Sequence, residues 1–425
     1  MKIAIAAYGV EGQASYRYYS KDPSNDITIF DQNPELIGPE GVAVVTGADA
    51  FEKLEDFDLV LRSPPIAPYS LKTNGKIWSG TNEFFAKCPA DIIGITGSKG
   101  KGTTASLIAA ILEAAGRKVW LVGNIGLPAL DVLDQVQPED IVVYELSSFQ
   151  LWDLESAPST AVVLFIEKEH LDVHKDMTEY VAAKGTITKF QTSDDLLIYN
   201  AENKYALSIA EKSKAQKVGY PSEFTTHVRD GFFYNGEQKM CSVNALQIPG
   251  EHNISNAIAA IDATWKYTQD AAVFEKGLQN FKGLPHRLAF VRSVEGVDYY
   301  DDSIATTPTS AIAALRAFDT PKVIILGGSS KGSDFTELAQ ELLQHDAHAL
   351  LIGDEAMHIS EVLAVAGFNN FEIIESPTMQ KVVTRAHEIA KQGSVVLLSP
   401  ATASFGLFKN YTDRGDQYIA AVTTL

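Results

Sequence analysis

Residues 91–116, DIIGITGSKGKGTTASLIAAILEAAG, constrain the fold more than any other stretch of this chain. A short apolar run stops in a turn built on Gly97, Gly100 and Gly102. Apolar side chains then return at Leu107, Ile108, Ile111, Leu112 and Ala115. Spacings of three and four put these on one helix face, with Gly116 placed to end the helix. A strand that passes through glycines into a helix is the first half of a parallel βαβ unit. The same alternation precedes it in KIAIAAYG, ITIFD and FDLVLRSP and follows it in KVWLVG, DIVVYEL, TAVVLFI and DLLIYN. Near FKGLPHR, Gly283 and Pro285 interrupt the pattern, and VDYYDDS, KVIILGG, HALLIGD and SVVLLSP resume it.

At ~150 residues per domain, a chain of 425 residues predicts about three domains. The boundaries fall near residues 89 and 285 and give three α/β domains: residues 1–88, Rossmann-like; 89–284, around the glycine turn, with a mostly parallel sheet; and 285–425, again Rossmann-like. Apolar residues are 45% and charged residues 21%, which excludes large-scale disorder. Lys and Arg number 35 against 54 Asp and Glu, a net charge of −19. No basic stretch offsets that excess, so no nucleic-acid partner is expected. Two cysteines, Cys88 and Cys241, cannot build a disulfide framework or a multi-thiolate metal site. The opening MKIAIAAYGVEG lacks the length of a spanning helix and the layout of a signal peptide. A cytoplasmic protein without membrane insertion is the expectation.

The glycine turn carries chemistry. In Gly97-Ser98-Lys99-Gly100-Lys101-Gly102-Thr103-Thr104, glycines let backbone N–H groups converge on phosphate oxygens at a helix N-terminus, and Lys101 can reach the terminal phosphates. The plainer alternative is a solvated turn with two lysines. Ile95 stands where the standard P-loop pattern has a glycine, and Gly102 stands where it has a hydroxyl, which moves the expected Mg²⁺ contact to Thr103. Such a turn predicts ATP or another nucleoside triphosphate without separating kinase, GTPase, motor and ligase. Further along, Asn124 follows a strand, Glu145 ends one, and Glu169, His170, Asp172, His174 and Lys184 follow another. Polar groups at the carboxyl ends of parallel strands line the crevice where open α/β sheets bind ligands, and hard oxygen ligands there suit Mg²⁺. Singly, Glu145 also reads as a paired structural carboxylate, Lys184 as a solvated lysine, and His174 as a residue without a role.

Their joint order carries a resemblance. TGSKGKGTT, GNIGLPAL, ELSSFQL, EHLD with YVAAK, GEHNISNAIAA, GLPHR, DDSIATTPTS, GGSSKGSDF and LLSPATASFGLFKNYTDRGD run in order from residue 96 to near the C-terminus. With the strands before them, they make the whole chain resemble the Mur ligase family, in the branch that adds glutamate to UDP-N-acetylmuramoyl-L-alanine. The resemblance implies an ATP-dependent amide-bond-forming ligase of cytoplasmic peptidoglycan synthesis, acting as a monomer. Residues 1–88 would take the UDP end, 89–284 ATP, and 285–425 the amino acid. The substrate carboxylate would attack the γ-phosphate, and D-glutamate would attack the acyl phosphate through a tetrahedral intermediate, releasing ADP and phosphate.

The resemblance also implies roles. Lys101, Glu145, His170 and Lys184 would be catalytic. Thr103 and Glu145 would hold one Mg²⁺, and His170 with a carbamylated Lys184 a second. Gly97, Ser98, Lys99, Gly100, Gly102 and Thr104 would line the phosphates. Asn253 and Asn256 would lie near the adenine, and Arg287 and Asp302 near ribose and phosphates. Asp31, Ser63, Asn124 and His170 would meet the nucleotide sugar, with a strand-end turn as the structural alternative for Asp31. Thr306, Lys331, Ser404 and Tyr411 would meet glutamate. Departures from the family pattern fall at Gly102, Pro65, Gln32-Asn33, Ile304 and Tyr411. The alternatives are the same ligation with L-glutamate, which DSIATTP favours, a folylpolyglutamate-synthetase-like ligase, and a nucleotide-binding scaffold that has lost catalysis.

Overall fold

Short apolar runs buried on both faces become the strands of three largely parallel sheets, and the carboxyl ends of those strands carry the polar motifs. The structure, a computed structural model, describes every residue except Asp172 and Lys331. The chain forms two compact units, one of Met1–Ala245 with Ser255–Asn280 and one of Leu246–Ile254 with Phe281–Leu425.

The first unit contains two of these sheets. Lys2–Ala6, Asp26–Asp31, Ala43–Thr46, Leu59–Arg62 and Lys76–Ser79 form a five-stranded parallel sheet in spatial order 3-2-1-4-5. Side chains alternate across it, with Ile3, Ile5, Ile29 and Leu61 in one core layer and Ala4, Ala6, Phe30 and Val60 in another. In the central six-stranded sheet, Asp91–Thr96 lies between Ile141–Glu145 and Thr160–Val163, all parallel. Val119–Gly123 flanks the first neighbour, and Leu196–Asn200 and Gln216–Tyr220 extend the other side. The glycine turn, Glu145 and the segment leading to His170 therefore leave the same edge of three adjacent strands. The helix after the turn runs Lys101–Ala114, and Arg117 N–H donates to Leu112 O at 3.0 Å across Gly116, the C-terminal motif the sequence predicts.

The two sheets share a core. Phe84 and Phe85 pack at 5.5 and 5.7 Å against the buried Tyr144 of the Glu145 strand, whose hydroxyl donates to Thr81 Oγ1 at 3.4 Å. A small antiparallel sheet of Thr226–Arg229, Phe232–Asn235 and Gln238–Ser242 lies outside the predicted pattern.

The second unit holds a six-stranded sheet ordered Ala289–Val294, Val297–Asp301, Val395–Leu398, Lys322–Gly327, Ala347–Ile352 and Phe371–Ile373. The first pair is antiparallel and the rest are parallel. Asp302, Gly328 and Ser399 follow the carboxyl ends of its central strands. No described helix is long and apolar enough to cross a membrane.

Candidate active site

The glycine turn adopts the conformation its composition demands. Gly97 and Gly100 have φ of 157° and 86°, and a Cβ on Gly100 would overlap Asn256 Oδ1. Gly100 caps the helix that begins at Lys101, so the first-turn amides at Gly102 and Thr103 sit where helix N–H groups lack intrahelical partners. Thr103 and Thr104 are buried. Lys101 Nζ donates to Ser98 O at 2.8 Å, and Lys99 pairs with Glu167 at 2.6 Å. Glu167 N–H donates to Ser98 Oγ at 3.0 Å, and the same hydroxyl lies 2.9 Å from Tyr180 OH, which donates to Glu169 Oε2 at 3.1 Å. The turn and the segment 167–170 are thus laced into one edge.

Glu145 is buried where its strand ends, and its carbonyl accepts from Asn124 N–H at 3.4 Å. Ser147 and Gln150 then close a capping box that starts the short helix Ser148–Leu151. Lys184, on Met177–Lys189, is 1% exposed rather than solvated. Its Nζ donates to Gly97 O at 2.7 Å and lies 4.5 Å from the Tyr180 ring centre. Burial, with Lys101 adding repulsion, holds the Lys184 ammonium well below the usual lysine range, and Glu169 and Glu145 only partly restore it. Lys101, Glu145, Glu169 and Lys184 therefore form one electrostatic cluster around the turn.

His170 has φ of 55° and stays 44% exposed, with its Nε2 3.8 Å from the Glu169 carboxylate and its ring 4.9 Å from Phe149. His174 is buried, lies 2.9 Å from Ser148 Oγ and stacks on Phe149, which marks it as a packing residue. Asp172 lies outside the described residues.

Among the described residues, no three His, Cys, Asp or Glu side chains converge into a metal cage. Mg²⁺ does not require one, since it commonly keeps several waters and takes one or two carboxylates plus substrate phosphates. The buried Glu145 carboxylate and Thr103 hydroxyl, beside the phosphate turn, fit that donor set.

On the first sheet, Asp31 Oδ2 accepts from Tyr8 N–H and Oδ1 from Asn33 N–H, both at 2.8 Å. Asp31 therefore clasps two turns at the strand ends. Ser63 Oγ donates to Ala7 O at 2.7 Å, so Asp31 and Ser63 flank the same turn. The fully buried Arg62 beside Ser63, which sequence reasoning passed over, binds both the turn that begins at Ser63 and the segment after Glu145.

In the second unit, buried Asp302 accepts from Leu288 N–H at 3.1 Å and from Ser399 Oγ at 2.7 Å. Burial pushes its carboxyl up to about 7, against those bonds and the nearby Arg287 charge. Arg287 is exposed, and its neighbour His286 lies 2.7 Å from Asp301 Oδ2. Ile304 N–H donates to His286 O at 3.0 Å and Thr306 N–H to Ile304 O at 2.8 Å, which places Thr306 on the turn after Asp302. Ser303 Oγ donates to Tyr411 O at 2.7 Å, tying that turn to the segment that holds buried Ser404 and half-exposed Tyr411. Arg414 makes the join: its Nε and Nη2 donate to Ser303 Oγ and O at 3.0 and 2.8 Å, and Nη1 donates to Thr402 O and Ala403 O, each at 3.3 Å. Its signal lay in the RGD of the C-terminal motif, to which no role attached. Asn253 Nδ2 donates to Pro249 O at 2.6 Å in this unit, while Asn256 belongs to the first. Lys331 lies outside the described residues.

Residues 95–264 match the family model of the Mur ligase middle domain, and residues 286–402 match that of the Mur ligase glutamate ligase domain. A UDP-N-acetylmuramoylalanine--D-glutamate ligase from Clostridium tetani is 34% identical, across 100% of this chain and 97% of that protein. The chain belongs to the Mur ligase family. Solved Mur ligases share its fold. A UDP-N-acetylmuramate-alanine ligase from Thermotoga maritima aligns with a TM-score of 0.63 at 17% identity, covering 100% of this chain and 99% of the other. A MurF ligase from the same organism, in complex with ADP, aligns with a TM-score of 0.61 at 15% identity, covering 99% and 94%. The full-length relative includes the N-terminal sheet of this Mur ligase, which lies outside both family models.

Proposed function

We propose that the protein joins D-glutamate to UDP-N-acetylmuramoyl-L-alanine with ATP, releasing ADP and phosphate in cytoplasmic peptidoglycan synthesis. The observation that carries this reading is the match, end to end, with a relative named for that ligation. Residues 1–88 hold the nucleotide sugar through Asp31 and Ser63, with Asn124 and His170 meeting its muramoyl end. Residues 89–284 hold ATP, and residues 285–425 present glutamate to the reaction. The chain acts as a monomer.

The chemistry follows from the charges. An oxygen of the substrate carboxylate forms a bond to the γ-phosphorus as ADP leaves, so two anions must be brought together. Lys101 and the first-turn amides draw negative charge away from the phosphates and hold them in line. Asn256 and Asn253 accompany the adenine, and Arg287 and Asp302 the ribose and phosphates. The glutamate nitrogen then attacks the acyl carbon, loses a proton, and phosphate departs from the tetrahedral intermediate. Thr306, Lys331, Ser404 and Tyr411 orient glutamate by its carboxylates and stem.

Mg²⁺, when bound at Thr103 and Glu145 and at His170 and Lys184, supplies positive charge to the transferring phosphoryl group. Lys184 suits its part because burial favours the neutral amine, the form that can add carbon dioxide and become an anionic carbamate.

Ile304 and the surrounding DSIATTP favour a second reading, the same ligation with L-glutamate. The test of the function is transfer of labelled glutamate into the nucleotide-sugar fraction, with ADP formed in equal amount. No transfer with ATP and UDP-N-acetylmuramoyl-L-alanine present would overturn it.

A further inference from the structure

Arg62 ends the strand Leu59–Arg62, and its side chain is wholly buried. Its guanidinium serves two places at once. Nη1 donates to Pro64 O and Ile66 O, both at 2.8 Å, and so holds the turn that begins with Ser63. Nη2 donates to Phe149 O at 3.0 Å, while Nε and Nη2 grip the Asp153 carboxylate at 2.9 and 2.5 Å. A planar fork with five donors can satisfy both sets; a lysine ammonium, with three donors on one atom, cannot span them.

Phe149 lies on the helix that follows Glu145, and its ring lies 4.9 Å from His170. Other ties reach the same helix and the turn after it: Gln150 Nε2 donates to Glu11 Oε1 at 3.0 Å, and Asn82 Nδ2 donates to Asp153 O at 2.9 Å. Those ties fix the helix and the residues after it. Arg62 fixes the helix and the Ser63 turn together.

We propose that Arg62 is a positioning residue that sets the His170 imidazole, through Phe149, in register with the Ser63 turn. The nucleotide-sugar site and the His170 side of the reaction centre then share one geometry, which a lysine at the same position would not impose. The inference rests on the glutamate-ligase reading for what binds there.

Two variants of the full chain test it, Arg62→Lys and Phe149→Leu. Arg62→Lys should raise the KM for UDP-N-acetylmuramoyl-L-alanine roughly tenfold or more and leave the KM for ATP within about twofold. In the ligand-free protein, hydrogen exchange should quicken over both 63–66 and 167–171. Phe149→Leu keeps the carbonyl that Arg62 grips and removes the ring beside His170. It should quicken exchange over 167–171 alone and lower kcat, with a smaller rise in the nucleotide-sugar KM than Arg62→Lys gives, so the proposal stays testable if Arg62→Lys does not fold. An Arg62→Lys protein that moves both KM values equally, or neither, overturns the inference. So does a Phe149→Leu protein with unaltered exchange over 167–171. Wild-type protein that transfers no glutamate overturns the functional reading instead, and the exchange patterns still decide whether Arg62 governs the two segments.

Discussion

Lys184 Nζ, buried beside the phosphate turn, is met by the Gly97 carbonyl at 2.7 Å. The buried Arg414 guanidinium of the second unit is ringed by the oxygens of Ser303, Thr402 and Ala403. Burial lowers the affinity of both for their proton. Arg414 falls only to about 10 and remains a cation, whereas Lys184 is driven well below its ordinary value. A buried cation whose donors are matched by backbone carbonyls serves architecture, here by knitting the Asp302 turn to the Ser404 segment. One with a single carbonyl and a second lysine nearby works against the fold, and its retention beside a phosphate turn points to chemistry.

The largest expected effect comes from breaking the satisfied cation. Arg414→Met strips a donor from three carbonyl oxygens, of which Ala403 O keeps Ser329 N–H at 3.0 Å, and should lower the unfolding free energy by about 3–5 kcal/mol, read from urea denaturation. A midpoint equal to wild type would remove Arg414 from the architecture. Lys184→Met should behave in the opposite way. Ligation should fall roughly 10²–10³-fold, while the thermal midpoint stays close to wild type, because loss of the donor to Gly97 O is offset by removal of a buried polar amine. Loss of stability and activity together would place Lys184 with Arg414 instead.

Two smaller effects sharpen the contrast. Asp302 has its carboxyl raised from 3.8 to about 7. Between those values the folded chain keeps a proton that the unfolded chain has released, so this group makes stability decline as pH rises through the window. Asp302→Asn should flatten that slope in denaturation midpoints measured across it, and an unchanged slope would deny the burial penalty. For Lys184 the sign is reversed. The unfolded chain holds the extra proton between the depressed folded value and about 10.5, so stability rises with pH there until Lys184→Met removes the trend. Ser303→Ala deletes the hydroxyl between Arg414 and Tyr411 O, and its cost should be smallest, about 1–2 kcal/mol in the same denaturation assay.

The phosphate turn was legible in the sequence because its conformation is local: glycines, a strand before and a helix after settle it. The strand-end positions of Asp31, Glu145 and Asp302 were legible for the same reason. Burial of Lys184 was not, since a lysine within YVAAKG reads as solvated until the Gly97 carbonyl and Tyr180 close over it. Arg62 and Arg414 were invisible because their partners lie 87 and 111 residues away in the chain. The hairpin between Ala289–Val294 and Val297–Asp301 turns on Glu295 and Gly296, with φ of 51° and 80°. Glu-Gly lacks the Asn or Asp that usually signals such a turn. Asp230-Gly231, with φ of 51° and 75°, did carry that signal for the small antiparallel sheet, and its short flanking runs concealed it.

Phosphate release from ATP, measured with UDP-N-acetylmuramoyl-L-alanine and with D-glutamate, L-glutamate or neither, tests the central claim most directly. Release that requires the nucleotide sugar and D-glutamate together is the predicted result. Release with L-glutamate alone would contradict the stereochemistry, and no dependence on either glutamate would contradict the ligase reading itself.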